Sequence, residues 1–133
     1  MPAQVLGYAR RRAGPAREDV RGMHHPLDAH PSFRAVIAAA PSLAELARVT
    51  EDDGLVRRLA IACGDLVHGF AAPLGSPERR RAHHRAWTSV RELDRAVTAA
   101  RLGKKAPARL VARAQRAVDR ADVLISTLPG VLP

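Results

Sequence analysis

The chain has little of several things that specific chemistry is built from. Its 133 residues include one cysteine (Cys63), two lysines and four aromatic residues, Tyr8, Phe33, Phe70 and Trp87. A single cysteine excludes an internal disulfide and a cysteine-built zinc site. So few aromatic side chains speak against a β-sandwich or barrel, whose strands favour aromatic and β-branched residues. No apolar run is long enough for a signal peptide or a bilayer span, so a soluble, cytoplasmic protein with no membrane partner is expected. Gly-rich phosphate loops, nucleophile elbows and paired-carboxylate patterns are missing too, and no cofactor is implied.

What is there is mostly alanine and arginine, 26 and 20 residues. Alanine is the best helix former, and the length suits one domain. The expectation is an all-α fold of closely packed helices. Alanine seams bury little area each, at roughly 25 cal/mol per Å2 of apolar surface, so association into a homo-oligomer would recover the deficit.

The net charge of +9 is confined to one stretch. Residues 78–116 hold ten Arg and two Lys against Glu78, Glu92 and Asp94, while the rest of the chain is nearly neutral. A GC-rich genome would raise Arg, Ala, Gly and Pro together, but it would not thin the acids in one segment only. Such a field attracts polyanions.

Along the chain, residues 1–32 show Pro and Gly punctuation with no sustained period, and a mobile tail is expected. Met23 raises the question of an alternative start. A first helix from near Ser32 would bury Phe33, Val36, Ile37, Ala40, Ala44 and Ala47, with a kink or restart at Pro41 and the capping-box order of Ser42 to Glu45. A second follows Glu51, Asp52 and Asp53 and buries Leu55, Leu59, Ala62, Leu66 and Phe70, with Cys63 beside them. The third has Ser76 as cap, Pro77 and Glu78 in its first turn, a stripe of Ala86, Val90, Leu93, Val97 and Ala100, and Gly103 as its stop. The fourth starts near Pro107 and carries Leu110, Ala114, Ala117, Ala121, Leu124 and Leu128. Heptad-like spacing with short turns reads as an antiparallel up-down four-helix bundle over 33–129, followed by a short tail, 130–133.

Several of these segments resemble a known family: Leu55 to Ala60, Val67-His68-Gly69, Ser76, Ala86 to Leu93, and Ala99 to Gly103. Their order is similar to that of the bacterial four-helix-bundle family, which includes the proteins encoded in ribosomal RNA intervening sequences and the accessory variability determinants of diversity-generating retroelements. The match spans roughly residues 33–128 and is best at Ala86, Ser89, Glu92 and Leu93. Near the places of the family's Asn and Glu, before the glycine ending helix two, stand Leu66 and His68. The resemblance implies a basic bundle that assembles as a pentamer and binds nucleic acid, in some members alongside a reverse transcriptase.

The residues themselves point to phosphate binding. The candidate RNA- or DNA-binding groups are a helix-start cluster (Arg79, Arg80, Arg81, Arg85), a turn (Arg101, Lys104, Lys105) and a row on helix four (Arg109, Arg113, Arg116). Arg forks suit phosphate, and affinity should fall steeply with salt. The competing role for Arg91, Arg95, Arg113 and Arg116 is pairing with Glu92, Asp94, Asp119 and Asp122. Trp87 is the one candidate stacking platform in the basic segment, but beside Ala86 it reads rather as a core or subunit contact. Arg79 and His84 have the Arg-x4-His spacing of HEPN ribonucleases, in which Arg would stabilise phosphate charge and His would do acid–base work. Arg17 and His24 match at another of the three permitted spacings, Arg-x6-His, as chance predicts for so many arginines. The histidine pairs His24-His25 and His83-His84 are adjacent and so point in different directions on a helix, whereas a helical di-metal site needs His and carboxylates at i, i+3 or i+4 from several helices. Asp65 with His68 has that spacing but suggests only a hydrogen bond. The expected protein is a non-enzymatic nucleic-acid-binding bundle. The alternatives are a HEPN-like ribonuclease and an oligomeric protein-binding scaffold.

Overall fold

The computed structural model describes residues 27–132. The expected tail up to residue 26, Met23, and the Arg17, His24 and His25 positions lie outside them. A single 3-10 turn spans Leu27–Ala29. The unit from Pro31 onward is all-helical among the described residues. Its helices are α1 (Pro31–Ala38), α2 (Ala40–Thr50), α3 (Gly54–Ala71), α4 (Pro77–Leu102) and α5 (Ala108–Ser126). The first of the four expected helices is thus α1 and α2 in succession.

Pro41 causes that break. It has no N–H to offer the Ile37 carbonyl, and its ring crowds that turn. The helix restarts with Ala39 at its cap and Pro41 in its first turn. The expected capping box does not form: Ala39 precedes the helix, and the Ser42 hydroxyl donates to the Ala39 carbonyl at 3.3 Å. The buried row also differs from the expected one. Ser32, Ala35, Val36, Ala39, Leu43, Leu46 and Ala47 are buried, while Ile37 is 48% exposed and Ala44 faces outward. The large side chains of Phe33 and Ile37 point to a stripe rotated by one residue, whereas small Ser32 and Ala39 permit the closer approach.

Between α2 and α3, Glu51 takes a left-handed conformation (φ 57°), and Asp52 Oδ1 accepts from the Gly54 N–H at 2.9 Å. Leu55, Leu59, Ala62, Leu66 and Gly69 form the buried face of α3, with Phe70 and Cys63 half-buried at its margin. At Gly69 a Cβ would overlap the ring of His83, which is 1% exposed. The absent side chain therefore lets α3 and α4 close on each other there. Phe70 meets the same imidazole edge-on at 4.8 Å.

Helix α4 starts as its sequence dictates, with Ser76 Oγ accepting from the Arg79 N–H at 3.1 Å and Pro77 in the first turn. Its expected stripe is buried throughout, joined by Ala82, His83 and Ser89. The stop is built differently. Gly103 stays right-handed (φ −81°), and Lys104 supplies the left-handed residue (φ 51°), while the Lys105 N–H reaches back to the Ala100 carbonyl at 3.0 Å.

On α5 the buried set is Leu110, Val111, Ala114, Val118, Ala121 and Ile125. Ala117, Leu124 and Leu128 sit partly buried at its edge. The expected stripe described one helix–helix seam, but α5 packs against α4, α1 and α2 together, which centres the buried arc on Val111, Val118 and Ile125. Val131, placed in the terminal tail by the sequence, is 1% exposed and part of the core. Pro31 and Ser32 likewise belong to α1 rather than to a tail. Among the described residues no helix is long and apolar enough to cross a membrane.

Candidate nucleic-acid interface

The helix-start cluster is largely engaged by the protein itself. Arg79 donates to the Ala72 carbonyl at 3.2 Å, with its guanidinium 5.3 Å from the Phe70 ring centre. Arg80 donates to the Gly75 carbonyl at 2.6 Å, and its aliphatic stem lies where a Cβ on Gly130 would be. Arg85 pairs with Asp65 at 3.3 Å. Arg81 makes no hydrogen bond or ion pair with another described residue. Together Arg80, Arg81, His84 and Arg85 line an open groove of about 470 Å3 floored by Pro77 and Gly130. His84 Nδ1 lies 3.1 Å from the Val131 carbonyl oxygen. That oxygen can only accept, so Nδ1 holds the proton and the imidazole fastens the C-terminal segment to α4.

Arg79 and His84 do not form a joint site. Five residues of helix turn them about 140° apart, and they reach the backbone at Ala72 and Val131 respectively. Nothing in this arrangement favours the ribonuclease reading. His68 pairs with Glu78 at 3.2 Å and Asp65 with Arg85, so the Asp65–His68 spacing on α3 is spent on other partners. No group of three or more metal-ligating side chains occurs among the described residues.

The middle of α4 is a closed network. Asp122 accepts from Trp87 Nε1 at 2.8 Å and from Arg91 at 3.2 Å, and the Arg91 guanidinium sits 5.8 Å from the Trp87 ring centre. Trp87 is half-buried against the core with its N–H satisfied. It serves packing rather than as a bare stacking surface.

At the opposite end of the basic segment the cations are unengaged. Of the four arginines expected to pair with Glu92, Asp94, Asp119 and Asp122, Arg91 alone does so. Glu92 takes Arg58 at 3.6 Å instead, and Gln115 Nε2 donates to Asp94 at 2.6 Å and to Asp119 at 2.9 Å. Gln115 thereby links α4 to α5 through Asp94, and neither Asp94 nor Asp119 forms an ion pair with an arginine among the described residues. Arg101, Lys104, Lys105, Arg109, Arg113 and Arg116 are all exposed, with no carboxylate partner among the described residues.

Two depressions flank this row. One, of about 360 Å3, is lined by Arg109, Ala112, Arg113 and Arg116. The other, of about 690 Å3, lies between the α4–α5 turn and α5. Comparison with protein-family models, curated proteins and solved structures found no match to this chain. The positions carrying the family resemblance are structural: Ala86, Ser89 and Leu93 are buried, and Glu92 holds Arg58.

Sequence reasoning missed Gln115 and the contact of His84 with Val131. The Gln115–Asp119 spacing of four is a legible helix pair, but its second acceptor on α4 belongs to the tertiary structure alone.

Proposed function

We propose that this chain is a non-enzymatic accessory protein that binds RNA or DNA through the α4–α5 turn and the outer row of α5. The observation that carries this is the set of six exposed cations from Arg101 to Arg116, left without a carboxylate partner among the described residues. Phosphate recognition there is electrostatic and insensitive to base identity, because no aromatic side chain lies in the row. Arg81, beside the 470 Å3 groove, extends the binding surface to the start of α4, with Arg80 and Arg85 able to contribute only at the cost of their present partners.

The finer architecture in this reading is an antiparallel up-down bundle. It is supported by contacts that climb α4 as they descend the chain beyond it: Asp94 with Gln115, Arg91 and Trp87 with Asp122, and His84 with Val131. Assembly into a homo-oligomer is supported by one flank of α3, where Val56 and Val67, eleven residues and so about three turns apart, are 45% and 43% exposed. A pentamer and a reverse-transcriptase partner follow from the family resemblance.

The test is fluorescence anisotropy with single-stranded RNA across a salt series. Arg109→Glu/Arg113→Glu/Arg116→Glu should abolish binding, and single Arg→Gln changes should each flatten the log–log salt slope by about 0.7. Arg79→Gln should leave the slope unchanged. Equal affinity in wild type and the triple variant would overturn the proposal.

A further inference from the structure

The 690 Å3 depression is a second kind of site on the same end of the molecule. Its floor is apolar: Ala106 from the turn, then Ala108, Val111 and Ala112 along α5. Its rim is cationic, with Arg101 and Lys104 at the turn and Arg116 further along the helix. The volume lies within the range of small-molecule sites. From Ala108 to Arg116, α5 advances about 12 Å at 1.5 Å per residue, room for an extended aliphatic chain of medium length. No aromatic residue lines the depression, so a nucleobase would find nothing to stack on. Gln115 has both amide hydrogens committed to Asp94 and Asp119, so it offers no N–H to a base edge either. Bare phosphate would satisfy the rim but leave the apolar floor in water. A ligand using both parts has an anionic head and an aliphatic body.

We propose that this groove binds a single-chain anionic amphiphile of the fatty-carboxylate class, its head held by Arg101 and Lys104 or by Arg116 and its chain laid over Ala108, Val111 and Ala112. Arg101, Lys104 and Arg116 also belong to the nucleic-acid surface, so an amphiphile seated here displaces RNA. This last step rests on the function proposed above; the groove itself does not.

Dodecanoate, kept below its micelle concentration, is titrated into the full-length protein by calorimetry, with acetate and decanol as head-only and chain-only probes. Saturable binding of dodecanoate at one site per chain, with both controls at least tenfold weaker, is expected. Ala112→Phe fills the groove at an exposed position and should weaken dodecanoate binding about tenfold or more, a loss near 1.4 kcal/mol. Ala108→Phe, in the exposed first turn of α5, is the second filling variant should the first fail to fold. Acetate binding as tightly as dodecanoate, undiminished binding in the folded filling variants, or no binding at all would each overturn the groove assignment. RNA held firmly under saturating dodecanoate would overturn the competition alone. Saturable dodecanoate binding by a protein with no RNA affinity would leave the groove standing and remove the nucleic-acid reading.

Discussion

Gly69 and Gly64 lie five residues apart on α3 and make opposite demands on a side chain. A Cβ at Gly69 would overlap His83 in the core, whereas at Gly64 it would meet nothing within 4 Å. Gly69→Ala should destabilise the fold by about 1–3 kcal/mol, the usual range for overpacking. Gly64→Ala should stabilise it by about 0.5–1 kcal/mol through helix propensity. Urea unfolding of the two variants checks both signs at once. Cys63 offers a chemical test at the same scale. Partial burial pushes its thiol above the ordinary value, because the thiolate is the form that loses solvation. Alkylation by iodoacetamide at pH 8 should therefore run slower in the folded protein than in urea. The linkage has a definite sign: a raised folded-state value contributes stability below the unfolded thiol's titration, and that contribution is lost as pH rises through the folded one. Cys63→Ser should remove that part of the alkaline decline.

At the scale of the elements, α4 was the most legible helix and α1–α2 the least. Ser76, Pro77 and the 86–100 stripe are local signals, and local physics honours them: the cap bond forms and the whole stripe is buried. Ser76→Ala should cost about 1 kcal/mol in thermal or urea unfolding, the typical loss of an N-cap. Propensity places the stop at Gly103, yet Lys104 takes the left-handed position. The first helix was misphased because Phe33 and Ile37 outweigh Ser32 and Ala39 in apolar area. Close packing of this bundle rewards the smaller pair.

For the whole molecule the difference between sequence and structure lies in the charges. Residue numbering concentrates the positive charge between 78 and 116, and α4 divides it between its two ends, Arg79 to Arg85 at its start and Arg101 to Lys105 at the following turn. Which of those cations remain available for a ligand is decided by neighbours far along the chain. Arg85 meets Asp65, twenty residues away, Arg91 meets Asp122, and Gln115 holds Asp94. Three of the four helix-start arginines, Arg79, Arg80 and Arg85, are engaged, whereas Arg113 and Arg116, whose expected partners meet other residues, stand clear. Helix content, the Ser76 cap and the α4 stripe followed from the sequence by itself because they depend on neighbours within one or two turns. The phase of α1, α2 and α5, the burial of Val131, the groove floored by Val111 and Ala112, and the sorting of arginines into engaged and open were decided only by tertiary structure. Each depends on which surfaces meet, and a carboxylate can neutralise only the guanidinium that the fold brings to it.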